Sequence, residues 1–324
     1  MKILVTGGCG FIGSNFVRFL LSETDHEIIN VDALTYAANP DASKNFSNNI
    51  KDINDARHTF IKHDICDSNA MNKITQNVDW IVHFAAESHV DRSINSSEVF
   101  LHTNILGTKV LLDAALRNKI KKFLFISTDE VYGTIKEGKA DENAQFRPSS
   151  PYAASKAAAD LLVQSYWTTY KLPILITRCT NNFGPYQYPE KVIPLFTKRL
   201  LEDKPVPLYG DGANRRNWIF VDDHCQAVYQ VLNDGKFGEA YNISGDCEIS
   251  NRELTELLLK LCGKDETYIE HVTDRPGHDF RYAIDDTKIH KIGWKPKHTF
   301  KDALARTVEW YKQNQHWIKM TEAQ

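Results

Sequence analysis

The chain has 324 residues, 42% hydrophobic and 25% charged, with a formal net charge of −3. That size supports one large or two moderate domains whose core needs no disulfide or metal staple. The charge gives no positive field to draw nucleic acid or an anionic membrane. The 6 cysteines include no C-x-x-C pair, so neither a zinc site nor a redox pair is expected.

Scattered cysteines fit a reducing cytosol, and a cytoplasmic location is the expectation. The first apolar run is too short for a signal peptide. No run of about 18 apolar residues suggests a membrane span.

In chain order, residues 3–5 read as a buried strand and 16–21 as the core face of the next helix. Further strands are predicted at 28–31, 59–61, 80–84, 122–127 and 172–178. Residues 104–118 have helical periodicity. Continuous apolar strands between helices mark a parallel sheet covered on both faces. The expected fold is α/β, a doubly wound parallel Rossmann-type sheet.

Residues 33–58 break the rhythm and read as a long loop with one short helix, a length that usually serves function. Past residue 180 prolines multiply, at Pro185, Pro189, Pro194, Pro205 and Pro207. Helical periodicity returns at 251–262 and 301–317. The expected division is a larger domain over 1–178, to which about 217–243 return. A smaller mixed α/β substrate-binding domain takes 179–216 and 244–324. The tryptophans, Trp317 among them, read as packing.

Gly7, Gly10 and Gly13 follow the first strand and open the first helix. Glycine permits a tight turn and lets a pyrophosphate approach the amides of a helix start. The spacing differs from the commoner G-x-G-x-x-G fingerprint, and alone it is also what a plain strand-to-helix turn would show. Asp32 at the end of the second strand strengthens the binding reading. An acid there can bond the adenosine ribose and repel a 2′-phosphate, which favours NAD over NADP. Phe11, Ile12, Ala33, Leu34 and Thr35 adjoin these groups. Asp64 and Ile65 end the third strand, and Phe84, Ala85, Ala86, Glu87 and Ser88 the fourth, where a cofactor is lined.

Tyr152 and Lys156 stand at i and i+4 on an alanine-rich helix, so both can face one spot. The ammonium, with a bound nicotinamide cation, is expected to lower the phenol pKa toward neutrality. The phenolate could then take a proton from a substrate hydroxyl. A lone Y-x-x-x-K also occurs on ordinary surface helices. With the glycine turn and the Ser127-Thr128 pair, it resembles the short-chain dehydrogenase/reductase superfamily in its extended form. That resemblance implies that Ser127 or Thr128 supplies a hydroxyl to the reacting oxygen.

Asp129 and Glu130 follow directly. Paired carboxyls beside a hydride-transfer site suit an elimination. Once C4 of a hexose is a ketone, its C5 proton is acidic. A carboxylate can remove it while a carboxylic acid protonates the C6 hydroxyl as it leaves. An isolated Asp-Glu pair is otherwise a solvated turn.

This stretch, with residues 83–94, 181–195, 214–223 and 274–282, resembles the dTDP-glucose 4,6-dehydratases over nearly the whole chain. The resemblance implies an NAD-dependent hydro-lyase of deoxysugar biosynthesis, such as that of rhamnose, acting as a homodimer. It implies that Thr128 contacts the sugar, Asp129 donates the proton at O6 and Glu130 takes the proton from C5. Tyr152 is then the base at O4, supported by Lys156. Ser88 and Thr103 would flank cofactor and substrate, and Asn182 would line the cofactor. Asn181, Lys191, Val192, Arg216, Asn251, Asp274, Arg275, Pro276, Gly277 and His278 would hold the nucleoside diphosphate. An arginine fork suits a pyrophosphate, although one of Arg215 and Arg216 is expected to be an ordinary surface charge. His278 and Asp279 could equally fix a loop.

Thymidine and uridine differ by one methyl, worth only about 1 kcal/mol, so the base rests on the resemblance. A UDP-glucose 4,6-dehydratase is one alternative. A 4-epimerase or a UDP-glucuronate decarboxylase would not need both acids. A non-catalytic NAD-binding scaffold would be expected to have lost a catalytic residue, and Thr128, Asp129, Glu130, Tyr152 and Lys156 are all present.

Overall fold

The computed structural model describes residues 1–41, 46–274 and 277–322. Six runs before residue 180 become parallel strands: β1 (Lys2–Thr6), β2 (Glu27–Asp32), the partly exposed edge strand β3 (His58–Lys62), β4 (Trp80–His83), β5 (Lys122–Thr128) and β6 (Ile174–Cys179). A seventh, Ala240–Ile243, pairs in parallel with β6. The order across the sheet is Ala240–Ile243, β6, β5, β4, β1, β2, β3. The direction of strand succession reverses between β1 and β4, and ligands of such sheets bind in the crevice at that switch point.

Side chains alternate across the sheet. Ile3, Val5, Val82 and Leu124 face a core shared with Phe16, Val17, Val228 and Val231. Leu4, Ile81, Phe123 and Phe125 face a second core with Leu111, Leu112, Ala159 and Val163. Burial on both faces explains why the strands read as unbroken apolar runs.

One expected return to the large sheet does not occur. Arg215–Phe220 pairs with Asn181–Phe183 in parallel and with Cys247–Ser250 antiparallel, in a separate three-stranded sheet. Trp218 and Phe220 pack on Phe183 there, and Phe183 packs in turn on Phe300. What does return is the helix Val221–Asp234, which lies on the helix Phe11–Glu23, together with Ala240–Ile243. A further parallel pair joins Val206–Tyr209 to Ile269–Val272.

The helix expected over 104–118 begins earlier. It runs as Glu98–Phe100, a π-helical stretch Leu101–Gly107, and Thr108–Arg117. Among the described residues only Glu98–Arg117 is long and apolar enough to cross a membrane, and 50% of its window is buried inside the protein. It packs on the helix Pro151–Tyr170, and core helices pass the same test. The 301–317 periodicity resolves into Phe300–Gln313 and Gln315–Glu322, which break at Asn314. In the 33–58 segment, Tyr36–Ala38 forms one 3-10 turn, and Ala38 and Ile50 close a small core over Cys9.

Candidate active site

A cavity of about 430 Å³ runs along the C-terminal ends of the sheet strands. Its floor is the glycine turn. Gly7 has φ +72°, and a Cβ there would lie 2.6 Å from the Ala85 nitrogen. A Cβ on Gly13 would lie 2.1 Å from the Gly7 carbonyl oxygen. Both positions therefore exclude any side chain. Gly10 is the N-cap of Phe11–Glu23, and no side chain caps that helix. Its first-turn N–H groups have the geometry to meet an anion.

Asp32 is buried at the end of β2. Its Oδ2 accepts from the Cys9 N–H at 3.0 Å and its Oδ1 from the Leu34 N–H at 2.8 Å. Burial pushes its carboxyl above the ordinary range. Gly7, Gly10, Phe11, Ile12, Gly13, Asp32, Ala33, Thr35, Asp64, Ile65, Phe84, Ala85, Ala86, Glu87, Ser88, Thr103, Tyr152, Lys156 and Asn182 all line the cavity. Leu34 does not line it. Its side chain packs beside Cys9, Ala38 and Ile50, and only its N–H serves the site. At the far wall the oxygens of Thr180 (Oγ1), Asn181 and Asn182 (Oδ1) and Gln187 (Oε1) are buried without a hydrogen-bond partner among the described residues. Buried polar atoms are rarely left so. The glycine cradle, the uncapped helix start and these free acceptors fit an extended dinucleotide with a carboxamide at one end.

The chemistry gathers where β5 ends. The chain passes from Thr128 into a 3-10 turn, Asp129–Tyr132. Thr128 Oγ1 accepts from the Glu130 N–H at 3.3 Å and donates to Asp129 Oδ1 at 3.4 Å, and its hydroxyl acts to lower the Tyr152 phenol pKa. Beneath the turn, Arg178 Nη1 donates to Tyr132 Oη at 2.8 Å, and Tyr132 donates to Asn242 Oδ1 at 2.9 Å. Arg178 also donates from Nε and Nη2 to the two Asp160 oxygens, at 2.9 and 3.0 Å. Asp160 stands one turn beyond Lys156 on Pro151–Tyr170. One buried network thus joins the acid turn to the tyrosine–lysine helix.

Burial, and then the neighbouring Glu130 charge, push the Asp129 carboxyl well above the carboxylate range. Asp129 Oδ2 is buried with no hydrogen-bond partner among the described residues. A carboxyl so placed favours its protonated form, the form that can act as an acid.

Burial, the Glu130 charge and Cys179 push the Tyr152 phenol well above the ordinary value, against a smaller lowering by the Thr128 hydroxyl. Lys156 Nζ donates to the Ile126 carbonyl at 2.7 Å. The lowering expected of the ammonium is expected together with a bound nicotinamide cation.

Burial lowers Lys156 itself to about 8. The sign follows from linkage. The unfolded lysine holds its proton up to about 10.4, so above pH 8 the unfolded chain binds more protons and stability rises with pH. Between pH 7 and 9.5, wild type is expected to gain about 2 kcal/mol relative to Lys156→Met. Denaturant titrations of both proteins across that range check it, and parallel pH profiles would contradict it.

A second cavity, of about 200 Å³, is lined by Asn181, Lys191, Val192, Arg216, Asn251 and His278. Glu130, Asn181, Glu190 and Lys191 line both cavities and make them neighbours. Arg216 is buried, and its Nη2 donates to the Asp279 carbonyl at 2.8 Å. Arg215 turns away and donates to Glu248 at 3.0 Å, so it is the ordinary one of the pair. Asp274 and Gly277 do not line the cavity. Asp274 acts on it indirectly, through a 2.7 Å hydrogen bond to His278 Nδ1. Arg275 and Pro276 lie outside the described residues. Asp279 fixes its loop, accepting from Thr134, Ser149 and Tyr282.

Sequence reasoning gave no role to Glu190, which also lines both cavities. Its carboxylate accepts from Tyr36 Oη at 3.1 Å and lies 3.4 Å from Arg92 Nε. It sits within the 181–195 stretch, and its type and place next to Lys191 were the available signal. Tyr209 in the second cavity carried no such signal, whereas Tyr282 ends the 274–282 stretch.

The chain matches the family model described as GDP-mannose 4,6 dehydratase over residues 4–307. It is 50% identical to a dTDP-glucose 4,6-dehydratase of Streptomyces niveus, with 98% of this chain and 94% of that one covered. It is also 50% identical to the low-salt glycan biosynthesis protein Agl12 of Haloferax volcanii, covering 96% and 98%. The solved structure of DesIV, a dTDP-glucose 4,6-dehydratase from Streptomyces venezuelae with NAD and TYD bound, superposes with a TM-score of 0.95 at 47% identity, covering 99% of this chain and 100% of that one. A UDP-glucose 4-epimerase from Thermotoga maritima reaches 0.88 at 30% identity, covering 97% and 100%.

Proposed function

Because this chain belongs to the dTDP-glucose 4,6-dehydratase family, we propose that it converts dTDP-glucose to dTDP-4-keto-6-deoxyglucose as an NAD-dependent hydro-lyase. The observation that carries this reading is the pair Asp129 and Glu130 lining the cavity with Tyr152 and Lys156, Asp129 buried with its Oδ2 unpartnered among the described residues. The larger cavity takes NAD and the smaller one the nucleoside diphosphate. By this reading 1–178, with Val221–Asp234 and Ala240–Ile243, holds the cofactor, and the remainder holds the nucleotide sugar.

NAD, held by the glycine turn, Asp32 and the Asn182 wall, would supply a reversible hydride acceptor for C4 and C6. The protein's groups move the protons. Tyr152 takes the proton from O4, with the Thr128 hydroxyl in the same cavity to contact the sugar. Glu130 removes the proton from C5, Asp129 protonates the C6 oxygen so that it leaves as water, and Glu130 gives its proton back to C5 as C6 is reduced. Both acids sit on one short turn, so they can act at adjacent carbons.

Several points support the finer assignments. The family model bears a guanosine-sugar description, but curated relatives at 45–50% identity carry the thymidine name, which favours dTDP-glucose. The scattered free cysteines support a cytoplasmic enzyme, the net charge of −3 supports one without nucleic-acid or anionic-membrane partners, and rhamnose is the proposed end of the pathway. A homodimer is supported by exposed apolar side chains on Glu98–Arg117 and Pro151–Tyr170: Val99, Leu101, Leu106 and Leu161 are 46%, 49%, 45% and 56% exposed. Such a patch commonly marks an interface. Wild type is expected at twice the monomer mass in solution, and Leu101→Lys with Leu161→Lys at the monomer mass. A monomeric wild type would remove the assignment.

Parallel incubation with dTDP-glucose, UDP-glucose and GDP-mannose, without added reductant and with products read by mass, tests the function. Loss of water is expected from dTDP-glucose first. No dehydrated product from NAD-loaded protein would overturn the proposal, and a preference for UDP-glucose would reassign the base. Asp32→Asn is expected to narrow the preference for NAD over NADP by about tenfold or more, because a like charge facing the 2′-phosphate is gone. Equal narrowing by a distant surface substitution would contradict that role.

A further inference from the structure

The carboxy-terminal helix Gln315–Glu322 lies remote from the reacting groups, yet one of its side chains reaches the cofactor turn. Trp317 is 2% exposed, and its indole Nε1–H donates to Asn49 Oδ1 at 3.0 Å. Asn49 is fully buried, and its Nδ2 donates to the Cys9 carbonyl at 2.8 Å. Cys9 stands inside the glycine turn, and its own N–H donates to Asp32 Oδ2 at 3.0 Å. Three hydrogen bonds therefore run from the last helix to the turn and to the carboxylate assigned to the adenosine ribose.

The direction of each bond is fixed by chemistry. Indole can only donate and a backbone carbonyl can only accept. The Asn49 amide must therefore present its oxygen to Trp317 and its nitrogen to Cys9, which settles the orientation that amides usually leave ambiguous. The amide can hold Cys9 in this pose only while its oxygen is engaged. Without the indole N–H, Oδ1 is a buried acceptor with no donor from the helix, and such a group reorients or admits water.

We propose that Trp317 is a positioning residue for the cofactor, setting the Cys9 peptide and Asp32 through Asn49. The proposal rests on the reading that the larger cavity takes NAD. The competing account is packing alone, since Trp317 also touches the Tyr186, Trp310 and Tyr311 rings.

Trp317→Phe separates the two, because it keeps an aromatic ring and removes only the donor and the second ring. Asn49→Ala cuts the same chain further along and leaves the helix side chains unchanged. NAD binding is measured by equilibrium dialysis on cofactor-stripped wild type, both single variants and the double variant. Each single variant is expected to raise the NAD dissociation constant about tenfold. The double variant is expected to bind like the singles, since the chain can be cut only once. The KM for dTDP-glucose at saturating NAD is expected to be unchanged.

Unchanged NAD affinity in Trp317→Phe would overturn the proposal, and so would independent, additive losses in the double variant. If Trp317→Phe does not fold, unchanged NAD affinity in Asn49→Ala overturns it alone. Wild type that binds no NAD would overturn the cofactor reading as well, whereas wild type that binds while the variants bind equally removes only the relay.

Discussion

Asp129→Asn is expected to slow water elimination about 10²- to 10⁴-fold, the usual contribution of a positioned general acid. The substitution keeps the side chain's shape and removes the carboxyl whose protonated form burial and Glu130 favour. Oxidation at C4 belongs to Tyr152 and Thr128 and should continue. Reduced cofactor and a 4-keto hexose should therefore build up, visible as nicotinamide absorbance in a single turnover. If oxidation and elimination fell together by the same factor, Asp129 would be acting on the geometry of the turn and not at O6. Glu130→Gln would give the same accumulation by blocking the preceding proton removal. Solvent exchange at C5 separates them, since it persists in Asp129→Asn and is lost in Glu130→Gln.

The second large effect concerns stability. The Arg178 and Asp160 side chains are 2% and 0% exposed and face each other through two hydrogen bonds. Arg178→Met leaves the Asp160 charge buried without its partner and is expected to cost about 3–5 kcal/mol. Adding Asp160→Leu removes that charge and should recover most of the loss, because a buried pair often gives little net stabilisation over apolar groups. Catalysis should not recover with it. Tyr132 would still lack the Arg178 donor that fixes the end of the acid turn. Denaturant midpoints and kcat measured on the single and double variants check both halves. A double variant recovering stability and kcat together would show that the network holds the fold and not the site.

Local features of the site were legible in the sequence. The glycine turn needs only chain order, because Gly7 and Gly13 are forced by contacts within the first strand–helix unit and at Ala85. Tyr152 and Lys156 are neighbours by helical period alone. What the sequence could not show depends on distant partners or on burial. The apolar run Trp218-Ile219-Phe220 would suit either sheet, and the aromatic neighbours Phe183 and Phe300 decide its place. The spacing of Tyr152 and Lys156 suggested a lowered phenol pKa. Among the protein's own groups burial and Glu130 act in the opposite direction, and that burial is set by partners the spacing does not name. Trp317 reads as packing because the partner of its N–H lies 268 residues away.

The most direct test follows a label through the whole reaction. The account places oxidation, elimination and reduction in one cleft, so a single hydride leaves C4 and returns to C6. dTDP-glucose carrying deuterium at C4, converted by NAD-loaded protein in ordinary water, should give product with deuterium at C6. Product without deuterium at C6, or unreacted substrate, would contradict the account.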